Sequence, residues 1–234
     1  MKMCRCGRGR IFGPLGIGLV LFFLVGPLTA QEFKRDLFLA KTRMNGEDVK
    51  QLQNKLLTLG FKEVGSADGW FGPNTEKGVR AYQEFVGCVP DGRVTKKVWA
   101  ILFSKDPRTK DIEGAIGAAR RITLEGLARE EQSLEDVSTE GGTLVRYTRN
   151  SRPVYTEVEI LGEMGKVIYK IYQVPSGQVI VEDRYAYPEP FAADRAQRSV
   201  QTHYLMKNLS LTLTEGTMVP FDMASSGIDP QWLQ

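Results

Sequence analysis

Few residues in this 234-residue chain are of a type that could do covalent or metal chemistry. There is one histidine, His203, between Thr202 and Tyr204 in a stretch that alternates like a strand. A hydrolytic zinc site needs several nitrogen, sulfur or carboxylate ligands and most often two or more histidines, so no metal site is expected from His203. It reads instead as a structural or surface residue. Cys88 is the one cysteine beyond the first thirty residues, which leaves no internal disulfide there. Within Gly87-Cys88-Val89-Pro90-Asp91 it reads as a packed thiol rather than a nucleophile. Glu157, Glu159, Glu182 and Asp183 are carboxylates of the kind that flank a scissile glycosidic bond in pairs. They fall on alternating stretches, however, where the polar set is expected on a solvated face. No catalytic residue and no cofactor is expected.

The spacing that does carry information is that of two turns, Asp68-Gly69-Trp70-Phe71-Gly72 and Asp91-Gly92-Arg93-Val94, 23 residues apart. In each, the aspartate can bond nearby backbone N–H groups and the glycine tolerates a positive φ. Helices must hold these turns. Val49, Leu52, Leu56 and Leu59 recur at spacings of three, four and three before Gly60, which predicts one helix with a single apolar face. Val79, Tyr82 and Phe85 follow Pro73 and Asn74, whose chemistry suits a helix start. Thr95 is a plausible N-cap for a third helix carrying Val98, Trp99 and Leu102. Three short helices make a small bundle, with Tyr82 and Trp99 expected in its core.

The ordered set Gly46-Glu47-Asp48-Val49, Leu52-Gln53, Leu56, Leu59-Gly60, Asp68-Gly69, Phe71-Gly72-Pro73-Asn74-Thr75, Val79, Tyr82-Gln83, Asp91-Gly92, Trp99 and Leu102 resembles the peptidoglycan-binding-like domain of bacterial wall enzymes. The resemblance runs over roughly residues 44–103. Gly78 departs from it where an alanine is common, as do Lys97-Val98 and Cys88. It implies peptidoglycan as partner, with Trp70, Asn74, Asp91 and Arg93 brought by the turns towards the helix ends as ligand-binding residues. The backbone N–H groups opening the second helix would take a stem-peptide carboxylate, and Arg93 could pair with one. For Trp70 the alternative is that it caps the core; Asp68, Asp91, Gly69, Gly72 and Gly92 read first as turn formers.

The remaining chain is organised around this stretch. Lys2, Arg5, Arg8 and Arg10 precede the apolar run Leu15 to Val25, then Gly26-Pro27 and Ala30, the pattern of a signal peptide over residues 1–30. An uncleaved anchor over Ile11 to Ala30 is the alternative. Removing residues 1–30 takes away four basic side chains and no acidic one, so the formal charge moves from +3 to −1. That excludes the basic footprint of a nucleic-acid binder. Residues 31–106 are expected to form the three-helix domain and 107–142 a linker with a helix near Ala118 to Leu134. Residues 143–214 read as an antiparallel β domain, because Leu144 to Thr148, Tyr155 to Leu161, Val167 to Val174 and Gln178 to Tyr187 alternate between short turns. Arg198 to Leu205 and Leu209 to Leu213 could add two strands, and 215–234 reads as an extended tail. Ser138-Thr139-Glu140-Gly141-Gly142 with Gly162-Glu163-Met164-Gly165-Lys166 and Tyr169 is similar to a β-meander domain of uncharacterised secreted bacterial proteins. The expected fold class is α+β. The expected role is non-catalytic attachment to the wall by an exported protein of the periplasm or cell wall, free of the membrane after signal cleavage. The alternatives are an adaptor holding another envelope protein and a wall hydrolase with an unfamiliar catalytic domain.

Overall fold

The computed structural model describes residues 32–234; the predicted signal segment lies outside them. The described residues form one α+β body, helices first and then a single sheet. The helices are α1 (Glu47–Thr58), α2 (Pro73–Phe85), α3 (Lys96–Leu102) and α4 (Pro107–Ala119). Thus the helical part has four helices of seven or more residues rather than three. The first three sit where the apolar spacing put them, and Tyr82 and Trp99 are buried. α4 starts where Asp106 caps it, its Oδ1 accepting the Arg108 N–H at 2.9 Å, with Pro107 in the first turn. It buries Ile112, Ala115, Ile116 and Ala119, one continuous stripe. Among the described residues no helix is long and apolar enough to cross a membrane.

The sheet is an eight-stranded antiparallel meander in sequence order: β1 (Ala128–Leu134), β2 (Gly142–Arg149), β3 (Arg152–Gly162), β4 (Gly165–Val174), β5 (Gly177–Ala186), β6 (Gln197–Met206), β7 (Leu209–Thr214) and β8 (Thr217–Pro220). Here two expectations are corrected. The segment Ala118 to Leu134 is not a helix: α4 ends at Ala119, Gly126 turns with φ 76°, and Ala128–Leu134 pairs with β2. Nor are residues 215–234 an extended tail, since they supply β8 and a short α5 (Met223–Ser226) and fold back over the sheet.

Over its central strands both faces of the sheet are covered, each taking alternate side chains, whereas β1 is exposed. Val174, Val179, Val181, Val200, Tyr204, Leu211 and Leu213 merge with the helical core into one cluster. Leu144, Val158, Val167, Tyr169, Ile171 and Ile180 pack beneath Ile228 and Trp232 of the C-terminal segment. Because neither face of β5 is left to solvent here, Glu182 and Asp183 are 5% and 3% exposed, against the expectation of a solvated face. Ion pairs compensate them: Arg184 holds Glu182 at 2.7 Å, and Arg198 grips Asp183 through Nε and Nη2, both at 2.7 Å.

Helices and sheet meet along α4, which packs on β4 and β5, and at the C-terminal end of α2, where the junction is hydrogen-bonded. The last carbonyls of a helix have no partner within it, and here β6 side chains reach two of them, while the β7–β8 turn reaches a third carbonyl just past the helix end. Thr202 donates to Glu84 O, the Tyr204 hydroxyl to Phe85 O at 2.6 Å, and the Glu215 N–H to Gly87 O at 2.6 Å. Gly87 has φ 63°, and a Cβ there would lie 2.0 Å from Leu213 O, so the approach requires glycine.

Candidate functional site

Each Asp-Gly turn is built around a buried glutamine. Gln53 on α1 is 1% exposed. Its Nε2 donates to Asp68 Oδ1 at 2.9 Å, Thr75 Oγ1 at 3.0 Å and Trp70 O at 3.1 Å, while its Oε1 accepts the Gly69 N–H at 2.8 Å. Asp68 Oδ1 also accepts the Trp70 N–H at 2.9 Å. Gln83 on α2 repeats the arrangement, with Nε2 on Asp91 Oδ1 at 2.6 Å and Arg93 O at 3.0 Å, and Oε1 on the Gly92 N–H at 2.8 Å. Gly69 and Gly92 have φ 79° and 78°. A helix thus presents one amide that satisfies the following turn, and the turn then starts the next helix.

The chain before α1 is tied to both turns. Leu37 and Val94 exchange backbone bonds of 3.1 and 2.8 Å, Phe71 N–H donates to Met44 O at 2.8 Å, and Gly46 N–H to Gly69 O at 3.0 Å. Arg35 fixes the start of α1 by pairing with Asp48 through Nε at 2.9 Å. Burial opposes the Asp48 charge, but the hydrogen bonds from Arg35 and the Val49 N–H hold its carboxyl below the usual range.

The first turn shapes a shallow cleft of about 360 Å³ at the N-terminus of α2. Trp70, 48% exposed, forms one wall, so it does not cap the core. Arg43, Ser66, Asp68 and Asn74 bring polar groups to the rim. No side chain caps α2: Gly72 stands at its N-cap and Pro73 in its first turn. Its opening N–H groups and the positive end of its dipole therefore face the cleft region uncapped by protein side chains. An aromatic face, a guanidinium, an amide and a helix N-terminus suit a ligand with a carboxylate beside apolar or ring surface.

Residues 45–102 match the family described as "Putative peptidoglycan binding domain". The match covers 58 residues of the chain's 234 and takes in α1, α2, α3 and both turns. No curated protein and no solved structure matches the chain.

Within the matched stretch the four residues marked by the sequence divide into two pairs. Trp70 and Asn74 line the cleft together. Asp91 and Arg93 do not line it: Asp91 is held by Gln83 and the Arg93 N–H, and the Arg93 guanidinium lies 4.5 Å from the Phe38 ring centre and 3.5 Å from Asp36. The two glutamines and Arg43 were missed as site-forming residues. The signal for the glutamines was present, since Leu52-Gln53 and Tyr82-Gln83 each put a polar amide beside an apolar helix face ahead of an Asp-Gly pair.

Elsewhere, His203 is 3% exposed in the sheet, its Nδ1 2.8 Å from Thr212 Oγ1 and its Nε2 3.2 Å from Glu182 Oε2, beneath the Phe221 ring. Among the described residues no group of three or more His, Cys, Asp or Glu side chains could hold a metal ion. Burial, with Glu215 and Asp91 adding to it, pushes the Cys88 thiol up to about 11, so it stays protonated and unreactive.

Proposed function

We propose that the protein is exported, binds peptidoglycan without cutting it, and uses the Trp70–Asn74 cleft to hold its β-sheet at the cell wall. The observation that carries this reading is the coincidence of the family match with an exposed tryptophan beside an uncapped helix N-terminus. A stem-peptide carboxylate would sit on the α2 N–H groups near Asn74 and Arg43, with Trp70 covering the adjoining chain. Asp91 acts through the second turn, and Arg93 lies outside this contact.

The test is sedimentation of residues 31–234 with purified sacculi. Trp70→Ala should weaken binding about tenfold, the size of effect expected for a central aromatic contact, and Arg93→Ala should weaken it less. No soluble fragments should be released from the sacculi. Absence of sedimentation at every salt concentration tried would discard the wall-binding reading. An envelope-protein adaptor would then take its place, favoured by β1, whose first six residues are exposed along a sheet edge.

A further inference from the structure

A second cleft, of about 450 Å³, opens between the end of α4 and strands β1 to β4. Its wall is a row of side chains in register across four strands: Arg129 opposite Tyr147, Tyr147 opposite Tyr155, and Tyr155 opposite Tyr172. Residues directly opposite on neighbouring strands share a face, so the row forms a continuous aromatic strip. Ring centres are 5.9 Å apart for Tyr147 and Tyr155, 5.1 Å for Tyr155 and Tyr172, and 5.5 Å for Tyr172 and Phe85 of α2. Glu157 stands two residues from Tyr155 on the same face and accepts its hydroxyl at 2.6 Å through Oε2. Burial, reinforced by Tyr172 and Glu157, holds the Tyr155 hydroxyl protonated far above neutral pH. This bond therefore fixes the carboxylate and leaves Oε1 without a protein partner among the described residues.

The cleft exists because α4 stops at Ala119 and the chain turns away, so the strip is only partly roofed; Leu124 at the rim is 39% exposed. A purely apolar occupant would cover the free Oε1 of Glu157 without a partner, while Arg129, half exposed and paired with Glu131 at 2.6 Å, keeps donors free to turn towards the cleft. A purely ionic one would make no use of three tyrosines. A sugar ring uses both: its C–H face stacks on aromatic rings, and its equatorial hydroxyl and acetamido groups take an in-plane acceptor and donor. We infer that this cleft is a saccharide site for N-acetylated hexosamine units, with Tyr147 and Tyr172 as the stacking surface and Glu157 and Arg129 as the polar partners. Taking those units to be the glycan strand of peptidoglycan rests on the wall-binding reading above. The protein would then grip both parts of one polymer, the stem peptide at Trp70 and the glycan at Tyr147.

Calorimetric titration of residues 31–234 with two separate probes tests this. One is the peptide-free N-acetylglucosamine–N-acetylmuramic acid disaccharide, the other a glycan-free stem tetrapeptide. The disaccharide should bind. Tyr147→Ala should weaken it about tenfold, as for loss of one stacked ring, and Glu157→Gln several-fold, while both keep the tetrapeptide affinity of the parent. Tyr147→Phe retains the ring and should stay within threefold, which separates stacking from damage to the fold. Disaccharide binding that is absent, or unchanged in both Tyr147→Ala and Glu157→Gln, overturns the proposal even if the tetrapeptide binds. Disaccharide binding lost with Tyr147, beside a tetrapeptide that does not bind, supports this site and refutes the one at Trp70.

Discussion

Single side chains decide whether the turns exist. Gln53→Ala would leave the Gly69 N–H and the Trp70 carbonyl without their buried partner, so it should lower stability by about 2–3 kcal/mol and drop the melting temperature measurably. Ligand affinity should fall with it, because the Trp70 backbone loses its anchor. Acid acts on the same residues. Asp68 is held below the ordinary carboxylate range by the Trp70 N–H and Gln53. Glu182 is also lowered: burial opposes its charge, but hydrogen bonds with His203 and Arg184 outweigh burial. A depressed folded-state pKa gives stability that is complete above the unfolded value and is lost as pH falls through the folded one. Chemical denaturation should therefore show a plateau down to about pH 5 and a decline below about pH 4. An Asp68→Asn variant should decline less. The sequence displayed the aspartates and glycines of the turns plainly. It did not display the depth of Glu182 and Asp183, because alternation identifies two faces of a strand without saying whether one of them meets water.

Elements were legible where burial is one-sided and obscure where it is not. α1, α2 and α3 follow from apolar spacing. β1 reads in sequence as part of a helix because Arg129, Glu130, Glu131 and Gln132 are good helix formers and six of its seven residues are exposed, so it has no apolar alternation to reveal a strand. Only its pairing with β2 makes it one. Asp106-Pro107 carries the cap and first-turn chemistry of a helix start, but the charged composition around it puts the expected linker helix further on, near Ala118 to Leu134. Gly78, the residue out of step with the family pattern, has a packing reason: a Cβ there would lie 2.4 Å from Val64 Cγ2, in the 3-10 turn Lys62–Val64 that leans on α2. Helix propensity alone would make Gly78→Ala stabilising by about 1 kcal/mol. It should instead lower the melting temperature, and Val64→Ala should recover part of that loss in the double variant, a coupling read from a thermodynamic cycle. A stabilised Gly78→Ala single variant would contradict the packing explanation.

The molecule as a whole does not divide at residues 107–142 as its composition suggested, because α4 and β1 occupy that stretch and one apolar cluster runs from α1 to β7. Residues 31–234 should accordingly unfold in urea in one transition, with far-UV circular dichroism and tryptophan fluorescence coinciding; Trp99 reports from the helices and Trp232 from the far face of the sheet. Two separated transitions would show that the halves are independent. The way α2 spans the molecule has a mechanical meaning. It is a strut of 13 residues, about 20 Å long, with the Asn74 end open at the Trp70 cleft and the Glu84–Gly87 end fastened to the sheet region. In a molecule held by the wall and tugged through its sheet, tension would run down this axis and be shared by three carbonyl anchors at once. Detachment by pulling would then require all three to fail together, so force applied along this axis would be borne in parallel rather than bond by bond.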